Sequence, residues 1–360
     1  MQNNIHPIIT GSGRYIPAKI KKNEDFLEND FYDASINLID KTNEEIIQKF
    51  MEITGIKERR YLTEEQVNSD IGFLASRNAI ENAKINKEEL DYIIVAHNFG
   101  DVKDDNRQSD IMPSIASRVK RKLEIKNPYT VAYDIIFGCP GWIQAMIQAN
   151  YYIKSGDAKK VLVVGSDALS RLSDPYDRDG MIYSDGAGAV IVEAKETEEP
   201  VGILAHKTRS DAIEEVYYMW MGESFHPGEK EKNLYLKMNG RKVFEYAMKH
   251  VPQLVKDTLE KAEVSIESIK RVLIHQANEK MDQGMLQRLF KLYGIKDIPK
   301  NIMPMTISEL GNNSVGTVPI IYDLLMEGHF ENNPPNSGDH LLFISVGAGM
   351  NINCIVYKVP

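Results

Sequence analysis

The sequence predicts an α/β fold built from two copies of one unit. Three observations point there. Apolar runs of strand length alternate with helical stretches along the chain. The order of features in the first half returns in the second at a constant offset, with Ala83 matching Ala262 and Ala96 matching His275. The length of 360 residues exceeds one small domain and fits two cores of about 150–180 residues each. Hydrophobic residues make up 42% and charged residues 26%, ordinary globular values that set aside disordered, collagen-like and fibrous readings.

In the first unit, a helical stretch from Ile71 to Ala83 leads through Asn86-Lys-Glu-Glu-Leu90 to the apolar strand Tyr92-Ile-Ile-Val-Ala96. A polar, Asp-rich loop from Asn98 to Ser109 comes just before Met112-Pro113. A strand-like run from Ala132 ends at Gly138, and a helix follows with Pro140 in its first turn, where proline is tolerated. Next come the strand Lys160-Val-Leu-Val-Val164 and Asp185-Gly-Ala-Gly-Ala189, which turns into Val190-Ile-Val-Glu193. The join is placed at Lys195 to Pro200, a polar stretch ending in proline, which divides the chain into residues 1–197 and 198–360.

The second unit repeats this order. A helical stretch from Val243 to Ala262 leads through Ser265-Ile-Glu-Ser-Ile269 to Arg271-Val-Leu-Ile-His275. After Asn312 come a helix, turn chemistry over Asn332-Asn-Pro-Pro-Asn-Ser-Gly338, and the strand His340-Leu-Leu-Phe-Ile344. Val346-Gly-Ala-Gly349 then leads into Asn351 to Tyr357. The strands are apolar enough for burial on both faces. The last strand of each half follows a Gly-rich hairpin and is expected to run antiparallel.

A formal net charge of −9 argues against general nucleic-acid binding. Two cysteines, Cys139 and Cys354, form neither a disulfide framework nor a zinc motif and point to a reducing compartment. The opening Met-Gln-Asn-Asn-Ile-His lacks signal-peptide order. No apolar run approaches the roughly 18 residues of a membrane span. A soluble, cytoplasmic protein that binds neither membrane nor nucleic acid is expected.

Three places carry chemistry. Cys139 lies in a strand–Gly-Cys-Pro-Gly–helix turn, at or beside a helix N-terminus, where the dipole and unpaired N–H groups lower a thiol pKa. The glycines on both sides let a substrate approach. The alternative is a buried, inert thiol. His275 follows an apolar strand at its C-terminal edge, where α/β ligand sites tend to lie, although a lone histidine there is more often structural. Asn312, in Glu309-Leu-Gly-Asn312-Asn-Ser-Val-Gly, opens a helix and on its own is only a good helix start.

Taken in order, Cys139, His275-Gln-Ala-Asn278 and Gly311-Asn-Asn-Ser314 resemble the Cys-His-Asn triad of the 3-oxoacyl-(acyl-carrier-protein) synthase III family, condensing enzymes of the thiolase fold. Supporting stretches are Thr54-Gly-Ile-Lys-Glu-Arg59, Tyr152-Ile-Lys-Ser-Gly156, Val163-Val-Gly-Ser-Asp167, Asp174-Pro-Tyr-Asp-Arg178 and Asp185-Gly-Ala-Gly188. The similarity runs from about Thr54 to the C-terminus. It implies duplicated βαβαβαββ halves in a five-layer αβαβα arrangement, and a homodimer joined at a sheet edge near the nucleophile. It also implies decarboxylative condensation of a Cys139-bound acyl group with a malonyl- or 3-oxoacyl-type thioester, without metal or redox cofactor. The backbone amides of Cys139 and Ala348 would form the oxyanion hole. His275 and Asn312 would hold the acceptor's thioester oxygen. Met112, Arg178 and Phe244 are assigned to substrate binding, and Lys280 and Arg288 to docking an acyl carrier protein. Acyl-CoA or acyl-carrier thioesters are the implied substrates.

Some positions depart from the family pattern. Lys49 and Ile53 stand where members using acetyl-CoA carry an adenine-clamping tryptophan and arginine. Met112 replaces a phenylalanine that reaches across the dimer, and is either a softer pocket wall or a gap-filling residue. The loop from Asn98 to Ile111 is long, and its Asp110 is a candidate base. Glu245 stands where a docking lysine is usual, while Arg118, Lys120, Arg121 and Lys122 form a second cationic cluster, or simply a solvated face. With the Cys139-Pro-Gly-Trp142 turn, these changes favour a specialised acyl pathway over fatty-acid initiation, including a ketosynthase joining two acyl chains to dialkylresorcinol-type products. Thiolase chemistry needs a second reactive cysteine, and Cys354 reads as core. 3-Hydroxy-3-methylglutaryl-CoA synthase chemistry needs a glutamate acid that no residue here supplies. A non-catalytic subunit of the same fold is the remaining alternative, and the intact triad argues against it.

Overall fold

A computed structural model describes residues 4–230, 232–330 and 334–360. The first part of the chain runs β1 (Ile5–Tyr15), β2 (Lys19–Lys22), α1 (Asn43–Thr54), β3 (Glu58–Tyr61), α2 (Asn68–Ala83), β4 (Tyr92–Ala96), α3 (Ile115–Lys122), β5 (Val131–Ile135), α4 (Gly141–Ser155), β6 (Lys160–Ala168) and β7 (Asp185–Glu196). The rest runs β8 (Gly202–Ser210), β9 (Met219–Gly222), β10 (Tyr235–Met238), α5 (Gly240–Ala262), β11 (Ile269–Ile274), α6 (Glu279–Leu292), α7 (Ile307–Leu310), α8 (Thr317–Met326), β12 (His340–Gly347) and β13 (Asn351–Lys358).

Two large sheets form. The first has the order β1-β7-β6-β4-β5, with β4 parallel to β5 and β6. The second has the order β11-β12-β13-β8, with β11 and β12 parallel. As expected, β7 and β13 run antiparallel to the strands before them. Helices α2 and α3 cover the outer face of the first sheet, α4 and α8 lie between the sheets, and α5 and α6 cover the outer face of the second. The layers are αβαβα. On β4, Ile93 and Val95 pack into the outer layer while Ile94 and Ala96 pack into the middle one. Burial on both faces explains why the strand reads as one continuous apolar run.

The two sheets are not equal. In place of a fifth strand, the second sheet has at this edge a pairing from the Val272 N–H to the Ile302 carbonyl at 2.8 Å. Pro299 and Pro304 flank that point and bring no N–H to a ladder. Asn332 and Asn333 of the expected turn lie outside the described residues. Among the described residues, no helix is long and apolar enough to cross a membrane.

Candidate active site

Cys139 sits between β5 and α4, beside Pro140, which is the N-cap of α4 rather than a first-turn residue. His275 follows β11 directly, and its backbone N–H donates to the Ile344 carbonyl at 2.8 Å, so sheet pairing fixes it one residue past the strand. Gln276 anchors the next segment. Its amide donates to the Pro304 carbonyl at 2.7 Å and its oxygen accepts from the Thr306 N–H at 2.9 Å. Asn278 caps α6 by accepting from the Met281 N–H at 3.1 Å. His275, Ala277 and Asn278 of this motif line the outer cavity described below, while Gln276 and Asn278 also hold the surrounding backbone.

The Gly311–Ser314 segment divides its work in the same way. Asn312 is pinned by its N–H to the Ile182 carbonyl and by its carbonyl to the Ser184 N–H, both 3.0 Å. Its side-chain oxygen accepts from the Ser314 N–H at 2.8 Å, which leaves the NH2 end for a ligand. Asn313 donates to the Asp185 carbonyl at 2.9 Å. The Ser314 hydroxyl donates to Cys139 Sγ at 3.5 Å.

The predicted oxyanion amides are neighbours because glycines let two loops touch. Gly138, at φ +65°, packs so closely that a Cβ there would lie 2.8 Å from the Ala348 nitrogen. A Cβ on Gly347 would lie 2.6 Å from the Cys139 nitrogen.

Cys139 and Asn312 stand where two cavities meet. An outer cavity of about 780 Å³ also reaches His275, Arg178, Phe244, Lys49 and Ile53. An inner cavity of about 360 Å³ is walled by Phe99, Ile136, Leu169, Trp220 and Leu236 among others. Both cavities reach the nucleophile, and both have largely apolar linings.

Burial sets the protonation states, and here one expectation fails. The Cys139 thiol is pushed up to about 12 by burial, with Asp167 adding to the rise and the Ser314 hydroxyl opposing it. The expected lowering by the helix start is outweighed, so the resting group is a thiol. Burial lowers His275 to about 4, against a backbone hydrogen bond with Ser314. The imidazole is therefore neutral near pH 7, and its Nδ1 has no partner among the described residues.

Comparison with known proteins agrees with this arrangement. Residues 133–212 match the family described as 3-Oxoacyl-[acyl-carrier-protein (ACP)] synthase III, and residues 259–359 match its C-terminal part. Beta-ketoacyl-[acyl-carrier-protein] synthase III of Staphylococcus haemolyticus is 32% identical, over 97% of this chain and 98% of its own. The chain belongs to the 3-oxoacyl-[acyl-carrier-protein] synthase III family. Synthase III 1 of Vibrio vulnificus is 34% identical, over 95% of this chain and 96% of its own. The solved Aquifex aeolicus synthase III superposes with a TM-score of 0.77 at 29% identity, covering 98% of this chain and 99% of that one. This synthase is therefore an acyltransferase-type condensing enzyme with the thiolase fold.

Other expected residues fall in different places. Arg178 and Phe244 line the outer cavity of this synthase. Met112 is 87% exposed and lines neither cavity of its own chain. Lys280 and Arg288 are exposed on α6, with Arg288 donating to the Met248 carbonyl at 3.0 Å. Asp110 reaches neither cavity, and its hydrogen bond with Arg118 lowers its pKa, the wrong direction for a base. The α3 cluster is largely spent on the fold. Arg118 binds Asp101 and Asp110, Lys120 binds the Asn127 and Thr130 carbonyls, and Lys122 binds Asp70. Trp142 is fully buried against Phe343 between the sheets and touches neither cavity. Cys354 is core, as expected. Among the described residues, no group of three His, Cys, Asp or Glu is arranged to hold a metal ion.

The sequence reading missed Asn98, Asp167 and Ser314 as parts of the nucleophile's surroundings, and Trp220 as a cavity wall. Ser314 and Asp167 lay inside the quoted motifs, but nothing in the spacing ties them to sulfur.

Proposed function

We propose that Cys139 accepts an acyl group from a pantetheine thioester, and that His275 and Asn312 then activate a malonyl-type thioester for decarboxylative condensation. In the first step the acyl carbon–sulfur bond to pantetheine breaks and a bond to Cys139 Sγ forms. The proton of Cys139 leaves with the departing thiol. The Cys139 and Ala348 amides would hold the oxyanion. In the second step the acceptor's carboxylate leaves as carbon dioxide, and its electrons form an enolate whose oxygen is held by two neutral donors, His275 and Asn312. The enolate attacks the acyl carbonyl and expels Cys139 as a thiolate, which takes a proton from solvent to restore the resting thiol. The steps balance without metal or redox cofactor. A cytoplasmic setting, expected from the cysteine usage, suits such chemistry.

The observation that carries this reading is the meeting of Cys139 and Asn312 at the junction of the two cavities, with His275 on the outer one. The outer cavity suits a pantetheine arm and the inner one an acyl chain. A further observation favours donors carried on a protein over free CoA, and with them a specialised pathway. Lys49 and Ile53 line the outer mouth, and three of the four Lys and Arg side chains lining it have carboxylate neighbours: Lys49 with Glu52, Arg178 with Asp179 and Arg241 with Glu245. Lys280 and Arg288 on α6 are the proposed contacts for an acidic acyl carrier protein.

A homodimer is part of the proposal. Strand β5 is a free edge of the first sheet, and Tyr129, Val131 and Ile136 are exposed along it, close in sequence to the nucleophile. An uncovered apolar edge invites pairing. Ile136 is 62% exposed yet walls the inner cavity, so that cavity opens at this edge. Met112 of a partner subunit would close it.

The test is intact-mass measurement after incubation with acyl-CoA and acyl-carrier donors of increasing length, wild type beside Cys139→Ser. Acylation mapping to Cys139 supports the reading, and the preferred donor identifies the branch. Folded wild-type protein that accepts no donor would move the weight to a non-catalytic subunit.

A further inference from the structure

The surroundings of the nucleophile contain a hydrogen-bonded chain that none of the roles above uses. The Ser314 hydroxyl donates to Cys139 Sγ at 3.5 Å, and the same oxygen accepts from Asn98 Nδ2 at 2.9 Å. Asn98 is itself fixed on Asp167. Its backbone N–H donates to one carboxylate oxygen at 2.9 Å, and its amide to the other at 2.6 Å. Asp167 and Ser314 are both buried. A serine hydroxyl has one proton and two lone pairs. With Asn98 donating to the oxygen, the proton remains for an acceptor. Asp167 is a competing acceptor for that proton, since each of its oxygens accepts only once from Asn98 and keeps a free lone pair, and the hydroxyl's own donor geometry is met at Cys139 Sγ. Ser314 is held at φ +50°, an uncommon conformation for a non-glycine residue. Strain of this kind collects where geometry serves function.

We propose that Ser314 is a positioning residue for the nucleophile: held by Asn98 and, through it, by Asp167, it aims its hydroxyl proton at Cys139 Sγ and steadies the sulfur as charge develops there. The inference rests on Cys139 being the acyl-carrying group. No new bond-making step is added. Cys139 still passes its proton to the leaving thiol, and Ser314 keeps its own proton throughout. The ionisable groups around the sulfur are Asp167 at the end of β6, Tyr183 before β7 and His275 after β11. The Asp167 charge opposes a thiolate, Tyr183 keeps its proton, and His275 is neutral. Among the side chains, Ser314 is the one that favours the charged sulfur.

With only two cysteines in the chain, the hydrogen bond can be observed directly. The S–H stretching band of Cys139 is assigned by its loss in Cys139→Ser, and that of buried Cys354 serves as an internal reference. In Ser314→Ala the Cys139 band is expected to move while the Cys354 band stays. The backbone N–H that orients Asn312 survives this change. Alkylation of Cys139 by iodoacetamide, followed by peptide mass between about pH 7 and 9, is expected to slow about tenfold, the effect of one pKa unit. Asn98→Ala is expected to shift the band in the same direction by less. An unmoved band in folded Ser314→Ala overturns the proposal, whether or not alkylation slows. If wild type accepts no acyl donor, the functional reading fails separately, because neither readout here needs a thioester.

Discussion

The junction of the two loops makes Gly347→Ala a demanding test of the oxyanion assignment. The added Cβ would lie 2.6 Å from the Cys139 nitrogen, 2.8 Å from Pro140 Cδ and 2.9 Å from Cys139 Cβ. All three atoms belong to backbone, proline ring or the nucleophile's own root, and none can swing away. Ordinary contacts need about 3.5–4.0 Å, so the loops must part by about 1 Å. An oxyanion donor works at about 2.7–3.1 Å, so a shift of that size removes one amide from the hole. Loss of a single donor costs about 10²–10³ in rate, and the overpacking costs about 1–3 kcal/mol of stability. The assay is single-turnover acyl transfer to Cys139, read by intact mass, beside alkylation by iodoacetamide, a displacement that forms no oxyanion. The expected result is a large loss of acyl transfer with alkylation kept within a fewfold. Wild-type acyl transfer in a folded Gly347→Ala protein would refute the reasoning. An equal loss in both assays would show that sulfur access, not the oxyanion hole, was damaged.

Four further outcomes follow from the same geometry. Burial lowers His275 from an ordinary 6.5 to about 4, so the folded state resists its protonation. Stability is therefore lost as pH falls from about 6.5 toward 4, by up to about 3 kcal/mol, and urea unfolding of His275→Gln should lack that loss. Val131→Lys places a charge on the exposed β5 edge, and sedimentation should find a monomer with weakened acyl retention. Arg118→Ala removes the cation paired with buried Asp101, leaving it the two Ser69 hydrogen bonds, and should cost about 1–3 kcal/mol in thermal unfolding. Lys280→Glu should instead leave unfolding unchanged and weaken binding of an acyl carrier protein in titration.

Much of the fold was legible because burial on both faces writes strands such as β4 and β12 as unbroken apolar runs, and duplication writes them twice. The edge elements were harder to read. β1 contains Pro7, Gly11 and Gly13, residues that weaken a strand signal, yet Gly11 and Gly13 are small because α2 packs directly on the strand. Its counterpart β8 alternates with polar residues at its end and gave no echo. The β9–β10 hairpin is short and partly exposed, so its role in walling the inner cavity was invisible. The triad was legible through resemblance, since each motif alone fits a bland helix start or strand end. The α3 cluster was read as a docking patch or a solvated face for a physical reason: four cations within five residues look like a surface, and only the fold reveals the carboxylates and carbonyls that consume three of them.

The overturned thiolate expectation changes how this site must work. A helix start favours a negative sulfur by a modest, screened interaction that falls off within one turn. Enclosing the same sulfur between two loops and a cavity wall costs more, and the thiol ends near 12. The same enclosure drives His275 the other way, to about 4. Burial thus discharges both groups, and Asn312 is neutral by chemistry. With no charge stored on these three groups, the proposed chemistry depends on donors already in place where charge will appear: two amides at the acyl carbonyl, His275 and Asn312 at the acceptor, and the Ser314 hydroxyl at sulfur. Such donors need no reorganisation when the charge arrives, and the water-poor setting that suppresses the resting thiolate makes each of them stronger. Any substitution that opens the junction to water should then raise the reactivity of Cys139 toward small alkylating agents while slowing acyl transfer. Ordinary damage lowers both rates, so this divergence is the signature to look for.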